Sequence, residues 1–119
     1  MEATELSQKV AQLALQKKGE DILIFDLRQL TDVADFFVLI TGGSDLHVKA
    51  IADFIEDELE KLGIRLYHKE GYENLRWVLL DYVDVVVHIF RPETRDFYNL
   101  ERLWADATIT RVEDDVTTD

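Results

Sequence analysis

Asp81 and Asp84 stand three residues apart, on either side of Tyr82-Val83, between two stretches that read as strands. Two carboxylates across a turn can hold Mg²⁺, but such an ion ordinarily shares substrate phosphates and further oxygen ligands. No third acid lies within a few residues to complete a set. Like charges facing each other also repel, so the turn must keep them apart or a cationic partner must sit between them. Solvated acids at a hairpin turn are the stronger reading. The three histidines, His47, His68 and His88, include no pair at metal-ligand spacing. No serine or threonine shows the histidine–acid neighbours that would activate it. With no cysteine, thiolate metal sites, disulfides and thiol nucleophiles are excluded.

Gly42-Gly43-Ser44 ends an apolar run and opens a helical one. Backbone N–H groups at such a corner can bind an anion, and nucleotidyltransferases place a Gly-Ser there. Those enzymes also need spaced acids on a following strand. The acids that follow here, Asp53 and Asp57, fall on the polar face of a helix. Dinucleotide and P-loop glycine patterns are missing. A turn followed by a serine cap is the simpler account of the corner.

Binding has more support. With Tyr82-Val83 as a two-residue turn, Asp81 opposes Asp84, Leu79 opposes Val86 and Trp77 opposes His88. Opposed side chains share one face of a sheet. One face then carries Trp77, Leu79, Asp81, Asp84, Val86, His88 and Phe90; the other carries Val78, Leu80, Val85, Val87 and Ile89. The second face is uniformly apolar and suits a layer of helices. The first mixes aromatics with an acidic rim, a composition found at protein interfaces. A C-terminal helix lying over Trp77 and Phe90 would explain the same pattern, and both readings stand at this point.

The elements that must position these residues follow from periodicity. Residues 4–18 read as a helix on Leu6, Val10, Leu13 and Ala14. Residues 21–27 and 35–41 are short, branched, apolar runs that suit buried strands. A second helix runs from Ser44 to about Leu62, with Val48, Ile51, Ala52, Ile55 and Leu59 as its stripe and Gly63 as its stop. Residues 64–68 alternate as a third strand, 75–82 and 84–90 form a hairpin, and 93–105 read as a C-terminal helix. The order α-β-β-α-β-β-β-α predicts an α/β fold: a mixed five-stranded sheet flanked by helices. The second strand, second helix and third strand can form a right-handed parallel crossover. The length fits a single domain over 1–107, with 108–119 as a polar, acidic and poorly ordered tail.

Net charge is −12, from 25 acidic and 13 basic residues. Phosphate-backbone binding draws on clustered Lys and Arg, and no such cluster is visible. A basic protein partner is the better match to the charge. No apolar run approaches the roughly 18–20 residues of a membrane span, and the first residues lack a signal-peptide core. A soluble cytoplasmic protein is expected.

Several segments together resemble one family. Ala34-Asp35-Phe36-Phe37-Val38, Thr41-Gly42-Gly43-Ser44-Asp45 and Val48-Lys49-Ala50-Ile51-Ala52 are similar to the ribosomal silencing factors, also called Iojap-like proteins. So are Glu70-Gly71-Tyr72, Trp77-Val78-Leu79-Leu80-Asp81-Tyr82 and Asp84-Val85-Val86-Val87-His88-Ile89-Phe90. The run from Arg95 to Trp104, Arg-Asp-Phe-Tyr-Asn-Leu-Glu-Arg-Leu-Trp, completes the match over roughly residues 5–106. The resemblance implies a nucleotidyltransferase-like fold without the catalytic acids, no enzymatic activity and no cofactor. It implies binding to the fourteenth protein of the large ribosomal subunit on the intersubunit face. The small subunit is then sterically excluded and translation repressed under nutrient limitation, and some members form homodimers. The alternative is a divergent nucleotidyltransferase-like enzyme using the Gly42 corner. The contact residues expected are Trp77, Leu79, Asp81, Tyr82, His88, Tyr98 and Leu100, with Trp77 central. Relatives usually carry Gly in the hairpin turn where this chain has Val83, and a β-branched residue is costly at positive φ.

Overall fold

The computed structural model describes residues 1–113. Its elements are α1 (Ala3–Gln16), β1 (Glu20–Asp26), β2 (Phe36–Thr41), α2 (Asp45–Lys61), β3 (His68–Glu70), β4 (Trp77–Asp81), β5 (Val85–Phe90), α3 (Pro92–Tyr98), α4 (Leu100–Leu103) and β6 (Thr108–Val112). The apolar runs become the centre of the sheet: every residue of β2 and β5 is buried. Strand order is β3-β4-β5-β2-β1-β6. Only the central β2–β5 pair is parallel; the other neighbours are antiparallel.

The α/β class is as expected, with six strands rather than five. The extra one is β6, which pairs with β1 from Ile22–Val112 to Asp26–Thr108. Residues 108–112 are therefore part of the sheet and not of a loose tail. Its Thr-Ile-Thr-Arg-Val sequence is β-branched but polar, because this edge strand leaves four of its five residues exposed. The acidic remainder, 114–119, lies outside the described residues. The third strand also differs. Ile64 and Leu66 pack against the helix-side core, and the chain reaches the edge of β4 only when Tyr67 N–H donates to Asp81 O (2.9 Å). β3 runs in the same direction as β2, yet β5 and β4 separate them. The crossover through α2 thus spans the sheet rather than joining neighbours.

Both long helices cover one face. Leu6, Val10, Leu13 and Ala14 of α1 meet Val48, Ile51, Ile55 and Leu59 of α2 over Val78, Leu80, Val85, Val87 and Ile89. The uniformly apolar side of the hairpin lies under helices, as its pattern requires. The opposite face holds a second cluster: Leu23, Phe25, Phe37, Leu39, Val86 and Phe90, with Leu27 and Ala34. Among the described residues no long helix covers it. Trp77, Leu79, Leu100, Trp104 and Ala107 lie over it, each only partly buried.

Candidate protein-docking surface

The hairpin register decides which side chains reach this thinly covered face. Trp77 pairs with Phe90, Leu79 with His88 and Asp81 with Val86. Tyr82 N–H donates to Val85 O (2.9 Å), so the two-residue turn is Val83-Asp84 and not Tyr82-Val83. Each expected pairing moves by two positions on β5. Because side chains alternate with a period of two, an even slip leaves both face assignments intact. Val83 takes φ +75°, with Asp84 N–H donating to Tyr82 O (3.0 Å) across it. Asp81 Oδ1 accepts from Val83 N–H (2.7 Å) and braces the turn. That use of Asp81 fits a structural acid, and Asp84 is exposed. No cluster of three metal-ligating side chains occurs among the described residues.

Trp77 is partly buried among rings. Its centroid lies 4.9 Å from Phe90, 4.9 Å from Tyr98 and 5.9 Å from His88. Its indole N–H donates to His88 Nδ1 (3.1 Å). His88 itself is 4% exposed, with Phe37 packed edge-on at 4.6 Å, and the histidine Nε2 has no hydrogen-bond partner among the described residues. Burial alone lowers its pKa to about 3, so the ring is neutral. Trp77 is thus neither pure core nor a free surface ring: one side is packed and the remainder is open.

The expected contact residues separate accordingly. Trp77, Leu79, Asp81, Tyr98 and Leu100 come together on this face with at least part of each accessible. His88 lies on the same face but is buried, bonded to the Trp77 indole and paired across the strands with Leu79. Tyr82 does not belong to the surface. It follows Asp81 by one residue, points to the helix side and is buried in that core; burial there raises its hydroxyl pKa.

The C-terminal segment that borders Trp77 is two short helices, not one. Asn99 sits between them at φ +50°, a conformation asparagine tolerates, and its Oδ1 accepts from Arg102 N–H (3.2 Å) to cap α4. The break turns Tyr98 toward Trp77 and carries Trp104 back to Phe37 (5.9 Å). It also leaves Phe97 and Leu103 80% and 70% exposed, an apolar margin to the face. On the other margin, pairing with β4 puts His68 and Glu70 on the same face as Asp81 and Leu79, with a 2.7 Å contact between them. The surface therefore has an aromatic and aliphatic middle with acids along one side.

Composition and periodicity give Arg95 no role; it stands in the sequence only as the first residue of the family-like run that ends at Trp104. It is the only buried residue of α3. Its Nη1 donates to Asp21 O (2.6 Å) and Thr41 Oγ1 (2.8 Å), and its Nε to Glu101 Oε2 (3.0 Å). One guanidinium thereby ties both C-terminal helices to the ends of β1 and β2.

The Gly42 corner is closed from within. Gly42 N–H donates to Phe90 O (2.8 Å), and Gly43 N–H to His47 Nδ1 (2.9 Å). His47 Nε2 meets Lys17 O at 2.8 Å, which fixes the proton on that nitrogen. Ser44 Oγ caps α2 by accepting from His47 N–H (3.1 Å). Three of the corner's N–H groups, those of Gly42, Gly43 and His47, are therefore engaged within the chain. A cleft of about 670 Å³ between α1 and β6 shares no residue with the aromatic face.

Comparison with known proteins gives a consistent result. The family model described as "Ribosomal silencing factor during starvation" matches residues 1–119. A Bacillus subtilis protein named "Ribosomal silencing factor RsfS" is 46% identical over 93 residues, covering 78% of this chain and 79% of the relative. A Halalkalibacterium halodurans protein of the same name is 40% identical over 111 residues, covering 90% and 95%. Among solved structures, a crystal structure of a Chromobacterium violaceum protein aligns with a TM-score of 0.86 at 33% identity, over 98% of both chains.

Proposed function

The chain belongs to the ribosomal silencing factor family, and from that premise we propose that it represses translation by binding the large ribosomal subunit and excluding the small one. Its partner there is the fourteenth large-subunit protein, and its action is in the cytoplasm. The observation that carries this reading is the open aromatic face around Trp77, bordered by acids, on a chain of net charge −12. Tryptophan and tyrosine at the centre of a surface are favoured anchors, and the acids suit a basic ribosomal protein.

No bond need be made or broken. A protein that occupies a surface needed by the small subunit blocks joining in proportion to its occupancy. The reading is therefore of a binding factor and not an enzyme, which agrees with a corner where the N–H groups of Gly42 and Gly43 are spent on Phe90 and His47. Sucrose-gradient sedimentation tests it. With purified subunits and excess protein, the joined-ribosome peak falls and the protein travels with the large subunit alone. An undiminished joined peak, or co-migration with the small subunit, overturns the reading.

A further inference from the structure

We infer that Arg95 is the positioning residue for the docking surface: its guanidinium holds the Tyr98–Leu100 ridge beside Trp77 without touching the partner itself. The inference rests on the proposed binding function. Short helices are held by tertiary packing rather than by their own propensity, yet α3 buries no apolar side chain and α4 buries no residue at all. What α3 does bury is Arg95, at 6% exposure. Its fork reaches three elements at once: the carbonyl of Asp21 in β1, the hydroxyl of Thr41 at the end of β2, and Glu101 in α4. Arg95 O also accepts from Asn99 N–H (2.8 Å), so the same residue fixes the joint at which the chain turns. Leu100 and Trp104 add partly buried packing on the far side of that joint.

These hydrogen bonds set position rather than core stability. They lie at the strand ends, outside both apolar clusters. Removing them frees the segment that carries Tyr98 and Leu100, while α1, α2 and the central strands keep their packing. Segments with little buried apolar surface open locally at low free energy. A ridge without its anchor must be ordered again at each binding event, which weakens affinity even though every side chain that meets the partner is still present.

The test compares the full chain with Arg95→Lys, Arg95→Gln and Glu101→Gln. Amide hydrogen exchange on the free proteins is read first. Exchange across residues 96–104 should accelerate about tenfold or more in Arg95→Gln while β2 and β5 stay protected, with Arg95→Lys between it and the parent. Uniform acceleration through β2 and β5 would make Arg95 a general stability residue and overturn the inference. Unchanged exchange would overturn it too. Large-subunit affinity is read second, in the parent background and in one carrying Tyr98→Ala and Leu100→Ala. A loss of about tenfold from Arg95→Gln in the first background should vanish in the second, because the ridge it positions is gone. An equal loss in both backgrounds would overturn positioning. If the parent chain does not bind the large subunit, the functional reading fails while the exchange result still judges Arg95.

Discussion

Trp77 has its indole N–H on His88 and its ring between Phe90 and Tyr98, so its truncation has two separate consequences. A fully buried Trp→Ala change costs about 3–5 kcal/mol; a partly open ring that leaves His88 Nδ1 unpaired should cost less, about 1–3 kcal/mol. The melting temperature of Trp77→Ala should fall moderately. Large-subunit affinity should drop by about 30-fold, the equivalent of about 2 kcal/mol at a central tryptophan. A complete collapse of melting would make Trp77 core alone. His88 gives a pH signature. Its folded pKa, about 3, lies below its ordinary value of 6.5. Between those values the unfolded chain takes up a proton that the folded chain refuses. Stability is therefore complete above pH 6.5 and falls as pH drops toward 3, by up to about 1.4 kcal/mol per unit. Thermal melts from pH 7.5 to 4.5 should show this slope, and His88→Gln should flatten it.

At the level of elements, the hairpin turn holds a specific strain. Val83 occupies φ +75°, which costs a β-branched residue about 1–3 kcal/mol. Val83→Gly should raise stability by about 1 kcal/mol after the greater unfolded-state freedom of glycine is subtracted. Denaturant titration would read this as a higher midpoint with unchanged slope. The positive φ was legible as a conflict between a two-residue turn and a valine; which two residues formed the turn was not. Asp81 settles that point by accepting from Val83 N–H, a bond that no hydrophobic pattern encodes. β1, β2 and β5 were legible as apolar runs because the sheet centre is buried, and α2 by the spacing of its buried stripe. β6 was hidden because an exposed edge strand needs no apolar face. The split at Asn99 was hidden because residues 93–105 read as one helix, and a left-handed joint at an asparagine leaves no mark in an apolar pattern. Tyr82 shares a motif with Asp81 but not its parity, and along a strand it is parity that decides the face.

At the scale of the whole molecule, charge and topology act together. The sheet presents one face to two helices and leaves the other with partial cover, and that open face is the proposed docking side. A net charge of −12 gives the molecule a field that favours encounter with basic partners. Screening shortens from about 10 Å at 0.1 M salt to about 3 Å at 1 M. Association rates with the large subunit should fall steeply over that range, while dissociation, governed by the aromatic surface, changes much less. Stopped-flow measurements at four or five salt concentrations separate the two; a salt-independent association rate would remove the electrostatic account of encounter.

The two tryptophans have a practical consequence. Trp77 and Trp104 are the chain's complete set, and both sit on the docking side, with none among the residues of the helix layer. Light at the red edge of the protein absorption band therefore excites only that side. Emission should shift to the blue when a partner displaces water from Trp77, with no label attached and no signal from the helices. In Trp104→Phe the remaining emission belongs to Trp77 alone, so a titration with the isolated partner protein that leaves its wavelength unchanged would place the contact elsewhere.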